Sequence, residues 1–257
     1  VPFSWRYIPP NAITCASLGL GVASVGLALH GQIETACWLV LMSVLLDKAD
    51  GTVARLLHAS SPFGVQLDSF SDFTTFGLAP AFVLLGIAES TSLAPALGQS
   101  DGVRWAVRAV AVLYAVFTAL RLAKFNVMSE RNAPAHFLGL PTTLSGAMLA
   151  SYTITALRQD FGPLGFEVLP VIYAVFGGLM VTNFAMPKLS VPKGQPWRTL
   201  VIASVASAYA FGFTWQFPEY LLGLSVFFAV FGFTYGALYL KWPQESAGHH
   251  EEAPRES

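Results

Sequence analysis

Asp47, Asp50, Asp68 and Asp72 lie within or at the edge of long apolar runs. A carboxylate at such a depth is costly, so it normally faces a cavity and serves a function. Asp47 and Asp50 are spaced i,i+3 and Asp68 and Asp72 i,i+4, so in helices each pair shares one face. The turn over Leu57–Phe63 folds one helix back beside the other, which brings the four carboxylates to one spot. Four like charges in a semi-buried site need compensation. Lys48 and Arg55 supply too little of it, so divalent cations are the expected complement. All-oxygen ligation favours Mg2+ or Mn2+ over zinc, whose preferred Cys and His ligands do not stand beside these aspartates.

The neighbours extend the pattern. Gly51 and Ala54 follow at i+4 and i+7 from Asp47, and Gly64 lies one turn before Asp68. Small residues there leave an empty slot beside the carboxylates. Arg55 adjoins that slot with a planar fork suited to phosphate oxygens. Cations, an arginine and a glycine-lined slot together describe a diphosphate site. Two ions roughly 4 Å apart would stabilise the attacking and leaving oxygens of a phosphoryl displacement. The rival readings of four aspartates are a structural ion-pair network and a path for divalent cations through a transporter.

Membrane helices are the elements that must position these residues. Of 257 residues, 54% are hydrophobic and only 11% charged, and the mean hydropathy is +0.57. A soluble domain needs more charge to cover its surface. No basic field of the kind nucleic acid demands is present, which excludes that partner. Cys15 and Cys37 lie in apolar runs and read as small buried hydrophobes. The chain opens on Val1, and its first apolar run is not followed by a signal-peptide cleavage pattern.

At about 20 apolar residues per crossing, about eight spans are expected: Ala12–His30, Ala36–Leu57, Leu67–Ala88, Val103–Phe125, Thr142–Leu157, Val168–Pro187, Arg198–Trp215 and Tyr220–Trp242. Residues 1–243 read as a single membrane domain that begins with an interfacial segment, 1–10, and 244–257 as a polar, disordered tail. His249 and His250 belong to that tail. Arg6, Arg55, Arg121, Lys124, Arg131, Lys188, Lys193, Arg198 and Lys241 fall on one side of this arrangement, against Arg104, Arg108 and Arg158 on the other. The positive-inside rule then puts both termini and the aspartates at the cytoplasmic face, with a bacterial inner membrane as the expected location.

The run from Asp47 through Asp50, Gly51, Ala54 and Arg55, continued by Gly64, Asp68 and Asp72, resembles the complete signature of the CDP-alcohol phosphotransferase family. That resemblance implies an all-α fold with a six-helix catalytic core, a homodimer and release of CMP. It assigns metal binding to Asp47, Asp50, Asp68 and Asp72, with Asp72 also the general base. Asp50, Gly51, Ala54, Arg55 and Gly64 would contact CDP-diacylglycerol. Further segments, Leu67–Pro80, Arg121–Asn126, Phe137–Pro141 and Leu179–Thr182, resemble the phosphatidylserine synthase branch of the family, which implies serine as acceptor. Lys48 departs from the pattern, since a less charged residue is expected between the first two aspartates.

Arg121, Lys124 and Asn126 are candidates for the acceptor carboxylate or a lipid phosphate. Arg121 lies deeper and reads as functional; for Lys124, positive-inside anchoring is an equal alternative. Thr142 and Thr143 read as helix-start residues. Choline, glycerol phosphate and inositol phosphate are the alternative acceptors. Choline would want an aromatic cage around its cation, which the stripe Phe227, Phe228, Phe231 and Phe233 does not convincingly form.

Overall fold

The structure, a computed structural model, describes residues 5–131, 136–187 and 195–239. Residues 1–4 of the opening segment, Lys188, Lys193, Lys241 and the tail 244–257 with His249 and His250 lie outside the described residues. After a short helical turn at Trp5–Tyr7 come α1 (Ile8–Leu29), α2 (Ile33–Leu56) and α3 (Pro62–Asp72). A π-helical segment, Phe73–Leu78, carries α3 into α4 (Ala79–Glu89). Then follow α5 (Asp101–Arg131), α6 (Thr142–Arg158), α7 (Gly162–Glu167), α8 (Leu169–Val181), α9 (Gln195–Thr214) and α10 (Pro218–Tyr239).

The chain is a polytopic helical membrane protein. Five of its helical rods are long and apolar enough by themselves to cross a bilayer. Those containing α2, α6 and α9 occupy the other expected positions without meeting that measure. A ladder of two short antiparallel strands, His136–Leu138 against Ala185–Pro187, is an element the hydropathy pattern did not announce. It ties the start of α6 to the end of α8, with Gly139 N–H donating to Phe184 at 2.8 Å and Leu140 N–H to Leu179 at 3.1 Å. Gly139 is required there: its φ is +70°, and a Cβ would meet the Met180 carbonyl at 2.4 Å.

The polarity of the bundle is inverted relative to a water-soluble one. Val112, Leu113, Val116 and Leu120 are exposed along the middle of α5, while Thr14, Ser17, Ser24, Ser43, Ser71 and Thr75 are buried between helices. Lipid is as apolar as leucine, so the helices associate through close backbone approach and hydrogen bonds, not through the hydrophobic effect. The inner face of α1 shows how. Thr14, Ser17, Gly21, Ser24 and Ala28 recur every three or four residues and let α2, α3, α4 and the π segment press against it. Ser24 donates to the Ala36 carbonyl at 2.8 Å, Ser43 to Ser17 at 3.3 Å and Thr75 to Ser17 at 3.4 Å. A Cβ on Gly21 would fall 2.5 Å from the Thr75 hydroxyl.

Pro80 is where the π segment gives way to α4. Having no N–H, it cannot serve the Phe76 carbonyl four residues earlier. Tyr114 of α5 does so instead, its hydroxyl 3.0 Å from that oxygen and 3.1 Å from Ser145 Oγ. Tyr173 of α8 donates to the Pro80 carbonyl at 2.8 Å, and the two tyrosine rings meet edge to face at 5.0 Å. Tyr114→Phe removes the only side-chain donor on Phe76 among the described residues and is expected to cost about 1–2 kcal/mol. Thermal unfolding in detergent checks this; an unchanged midpoint would mean that the carbonyl finds another donor.

Candidate active site

The four aspartates meet where α2 ends and α3 ends. Beyond Asp47 and Asp50, α2 stops at Leu57, and the chain reverses through His58, which takes a left-handed φ of +47°. Pro62 opens α3 behind Ser61, whose hydroxyl caps the helix by accepting from Gly64 N–H at 3.0 Å. α3 therefore runs back beside α2 and brings its carboxylates to those of α2. One oxygen from each of Asp47, Asp50 and Asp68 lies within 4.8 Å of the others. Asp72 comes within hydrogen-bonding reach of Asp47 and sits immediately before the π segment.

Burial is uneven within the cluster. Asp50 is buried, and the other three are partly so. Thr14 of α1 donates to Asp50 Oδ2 at 2.6 Å. Lys48, the unexpected cation, points away: its side chain is 67% exposed and its ammonium approaches Asp47 only to 3.8 Å, which leaves it a loose and screened partner. Arg121 is the compensating charge from within. It is buried at 8% exposure on α5, close enough to Asp72 and Asp47 to act on both electrostatically. Its guanidinium donates to Thr142 at 3.3 Å and lies 5.4 Å from the centre of the Phe125 ring. Two inward cations against four carboxylates would leave a deficit even if Lys48 turned in. The donor set, all oxygen and convergent, fits a divalent cation.

Of the two glycines expected to leave a slot, Gly51 adjoins open space, whereas Gly64 faces Asn11 of α1 and the Ser61 cap. A Cβ on Gly51 would meet nothing nearer than Arg55 Nη1 at 3.6 Å, and one on Gly64 would approach Asn11 and Ser61 oxygens at 3.2 Å. Arg55 is exposed, donates to Thr52 Oγ1 at 3.2 Å and lies beside Gly51. Ala54 is partly buried on the same stretch of α2.

The remaining candidates divide. Arg121 joins the carboxylates, whereas Lys124 donates to Asn183 beyond the end of α8 and Asn126 donates to Ser69 at 2.8 Å, next to Asp68. Thr142 does not cap α6, whose N-cap position is Pro141 with no side-chain cap; its hydroxyl is turned to Arg121. Thr14 and Asn183 escaped the sequence reading. For Thr14 a signal existed in the polar residues recurring along one face of α1. For Asn183 there was none, since its meeting with Lys124 spans 59 residues of sequence.

Residues 7–187 match the CDP-alcohol phosphatidyltransferase family. The chain belongs to that family. It is 33% identical over 188 residues to the CDP-diacylglycerol–serine O-phosphatidyltransferase of Helicobacter pylori, covering 73% of this chain and 75% of that one. The Bacillus subtilis protein of the same name is 32% identical over 168 residues, covering 65% and 87%. Transmembrane protein 269 of Mus musculus, whose name states no reaction, is 33% identical over 199 residues, covering 77% and 68%.

Binding of a cation to the folded state alone raises stability by about 2.7 kcal/mol at a hundredfold excess over Kd. Mn2+ is therefore expected to raise the unfolding midpoint of the purified protein, and Asp47→Asn or Asp68→Asn to abolish most of that rise. Equal Mn2+ stabilisation of wild type and both variants would place the cation elsewhere.

Proposed function

We propose that this protein transfers the phosphatidyl group of CDP-diacylglycerol to the hydroxyl of L-serine, giving phosphatidylserine and CMP. The observation that carries the chemistry is the convergence of Asp47, Asp50 and Asp68 within 4.8 Å, with Asp72 against Asp47. Family membership supports the donor, and the names of the Helicobacter and Bacillus relatives support serine. A cation-transporting reading is disfavoured because the carboxylates gather at one end of two adjoining helices and do not spread through the depth of the bundle.

The residues divide the work as follows. Asp47, Asp50, Asp68 and Asp72 hold the divalent cations, for which Mg2+ or Mn2+, two in number, suit the four carboxylates. Bound there, the cations supply neutralisation of the diphosphate charge. Arg55 swings over Gly51 onto the phosphate oxygens, while Gly51, Ala54 and Gly64 leave room for the cytidine diphosphate portion. Arg121 faces Asp72 from α5 and offers a guanidinium to the serine carboxylate. Lys124 and Asn126 flank that position. Asp72 accepts the hydroxyl proton of serine as the oxygen attacks the phosphorus that bears diacylglycerol. The bond from that phosphorus to the bridging oxygen breaks, and the electron pair leaves with CMP. The acyl chains stay in lipid throughout, against the apolar exterior of the bundle.

The same proposal puts the site and both termini at the cytoplasmic face of a bacterial inner membrane, on the strength of the basic residues flanking that end. A homodimer, implied by the family resemblance, belongs to it as well.

CMP release from CDP-diacylglycerol and Mn2+ is the test, comparing serine, choline, glycerol 3-phosphate and inositol phosphate. Serine-selective release is expected, with Asp72→Asn lowering kcat by about 10^2 to 10^4-fold. Selective release with another acceptor would overturn serine, and full activity of the variant would overturn Asp72 as base.

A further inference from the structure

Thr14 is the one residue of α1 whose side chain reaches the carboxylate cluster in a hydrogen bond among the described residues. Its hydroxyl lies 2.6 Å from Asp50 Oδ2 and 3.0 Å from the Pro10 carbonyl. A hydroxyl has one proton to give, and the charged, shorter acceptor takes it. Its own backbone carbonyl accepts from Ser71 Oγ at 3.4 Å, and Ser71 is the residue before Asp72. Thr14 therefore touches both helices that carry aspartates: its side chain holds Asp50 on α2, and its backbone holds the turn of α3 that presents Asp72. All three partners are buried.

We propose that Thr14 is a positioning residue for the reaction. By occupying one oxygen of Asp50 and fixing the rotamer of that carboxylate, it keeps the other oxygen toward Asp47 and Asp68. Through Ser71 it sets the register of α3 against α2. The proposal rests on the cation-binding reading above. It has a structural reason to be selective, because the hydroxyls of Ser24, Ser43, Ser71 and Thr75 in the same seam end on backbone carbonyls and not on a carboxylate. Groups that orient a ligating carboxylate commonly change metal affinity by 10- to 100-fold when removed.

The experiment measures free Mn2+ by its paramagnetic resonance signal during titration of the full-length protein in detergent. Thr14→Val keeps the shape and removes the hydroxyl; Thr14→Ser keeps the hydroxyl. Ser24→Ala removes a comparably buried hydroxyl from the same face of α1, away from the carboxylates, and controls for loss of packing. The expected result is Mn2+ affinity at least tenfold weaker in Thr14→Val, near wild type in Thr14→Ser, and unchanged in Ser24→Ala. Wild-type affinity in Thr14→Val would overturn the proposal. Equal weakening in Thr14→Val and Ser24→Ala would also overturn it, since the effect would then be one of packing. Absence of Mn2+ binding in the wild type would overturn the cation reading itself, and this proposal with it.

Discussion

Repulsion among four carboxylates gathered within a membrane bundle is the constraint to which the remainder of the structure answers. Two unit charges at 4.8 Å oppose each other by on the order of 3 kcal/mol at an effective dielectric of about 20, and the cluster contains several such pairs. A chain that gathers these groups must meet their repulsion with cations or forgo their ionisation. Arg121, taken out of lipid and turned toward Asp72 and Asp47, meets part of it from within. Lys48 is too exposed to meet much more. In the proposed function divalent cations supply the balance, and the same positive charge that relieves the aspartates would attract a diphosphate. Substrate binding and relief of repulsion are then one interaction.

Holding the carboxylates in place is a packing problem, and it is solved with small residues. α1 contributes almost no bulk on its inner face, so α2, α3 and the π segment approach closely enough for serine and threonine hydroxyls to reach across. The π segment follows immediately on Asp72, and Tyr114 donates to its Phe76 carbonyl. Such segments are frequent at functional sites; here it turns Thr75 onto Ser17 while Asp72 stays with Asp47. At the far end of the bundle the device is different. Arg158 joins Glu34 at 2.7 Å, lies 5.3 Å from the centre of the Trp38 ring and donates to the Trp215 carbonyl at 3.3 Å. This clamp ties α2, α6 and the end of α9 together without entering the site.

What the sequence made legible is what short-range periodicity controls. The i,i+3 and i,i+4 spacings put each aspartate pair on one face, and a single turn joined the two faces, so the cluster was readable from 26 residues, Asp47–Asp72. The apolar exterior followed from hydropathy. Long-range meetings were not readable. Arg121 read as the deeper, functional residue and Lys124 stood even between function and anchoring, but nothing local announced that Lys124 would reach Asn183 while Arg121 reached the carboxylates. Thr142 had the sequence of a helix cap and became a partner for Arg121. The strand ladder joining His136–Leu138 to Ala185–Pro187 is too short to carry a periodic signal. The π segment before Pro80 was not readable either.

The most direct measurement is anomalous diffraction from crystals grown with Mn2+, which locates the cations without reference to activity. Two peaks about 4 Å apart, each within coordinating distance of Asp47, Asp50, Asp68 or Asp72, are the predicted result. Carboxylates free of anomalous density, or Mn2+ found only elsewhere on the protein, would contradict the claim that these four aspartates form a cation-dependent diphosphate site.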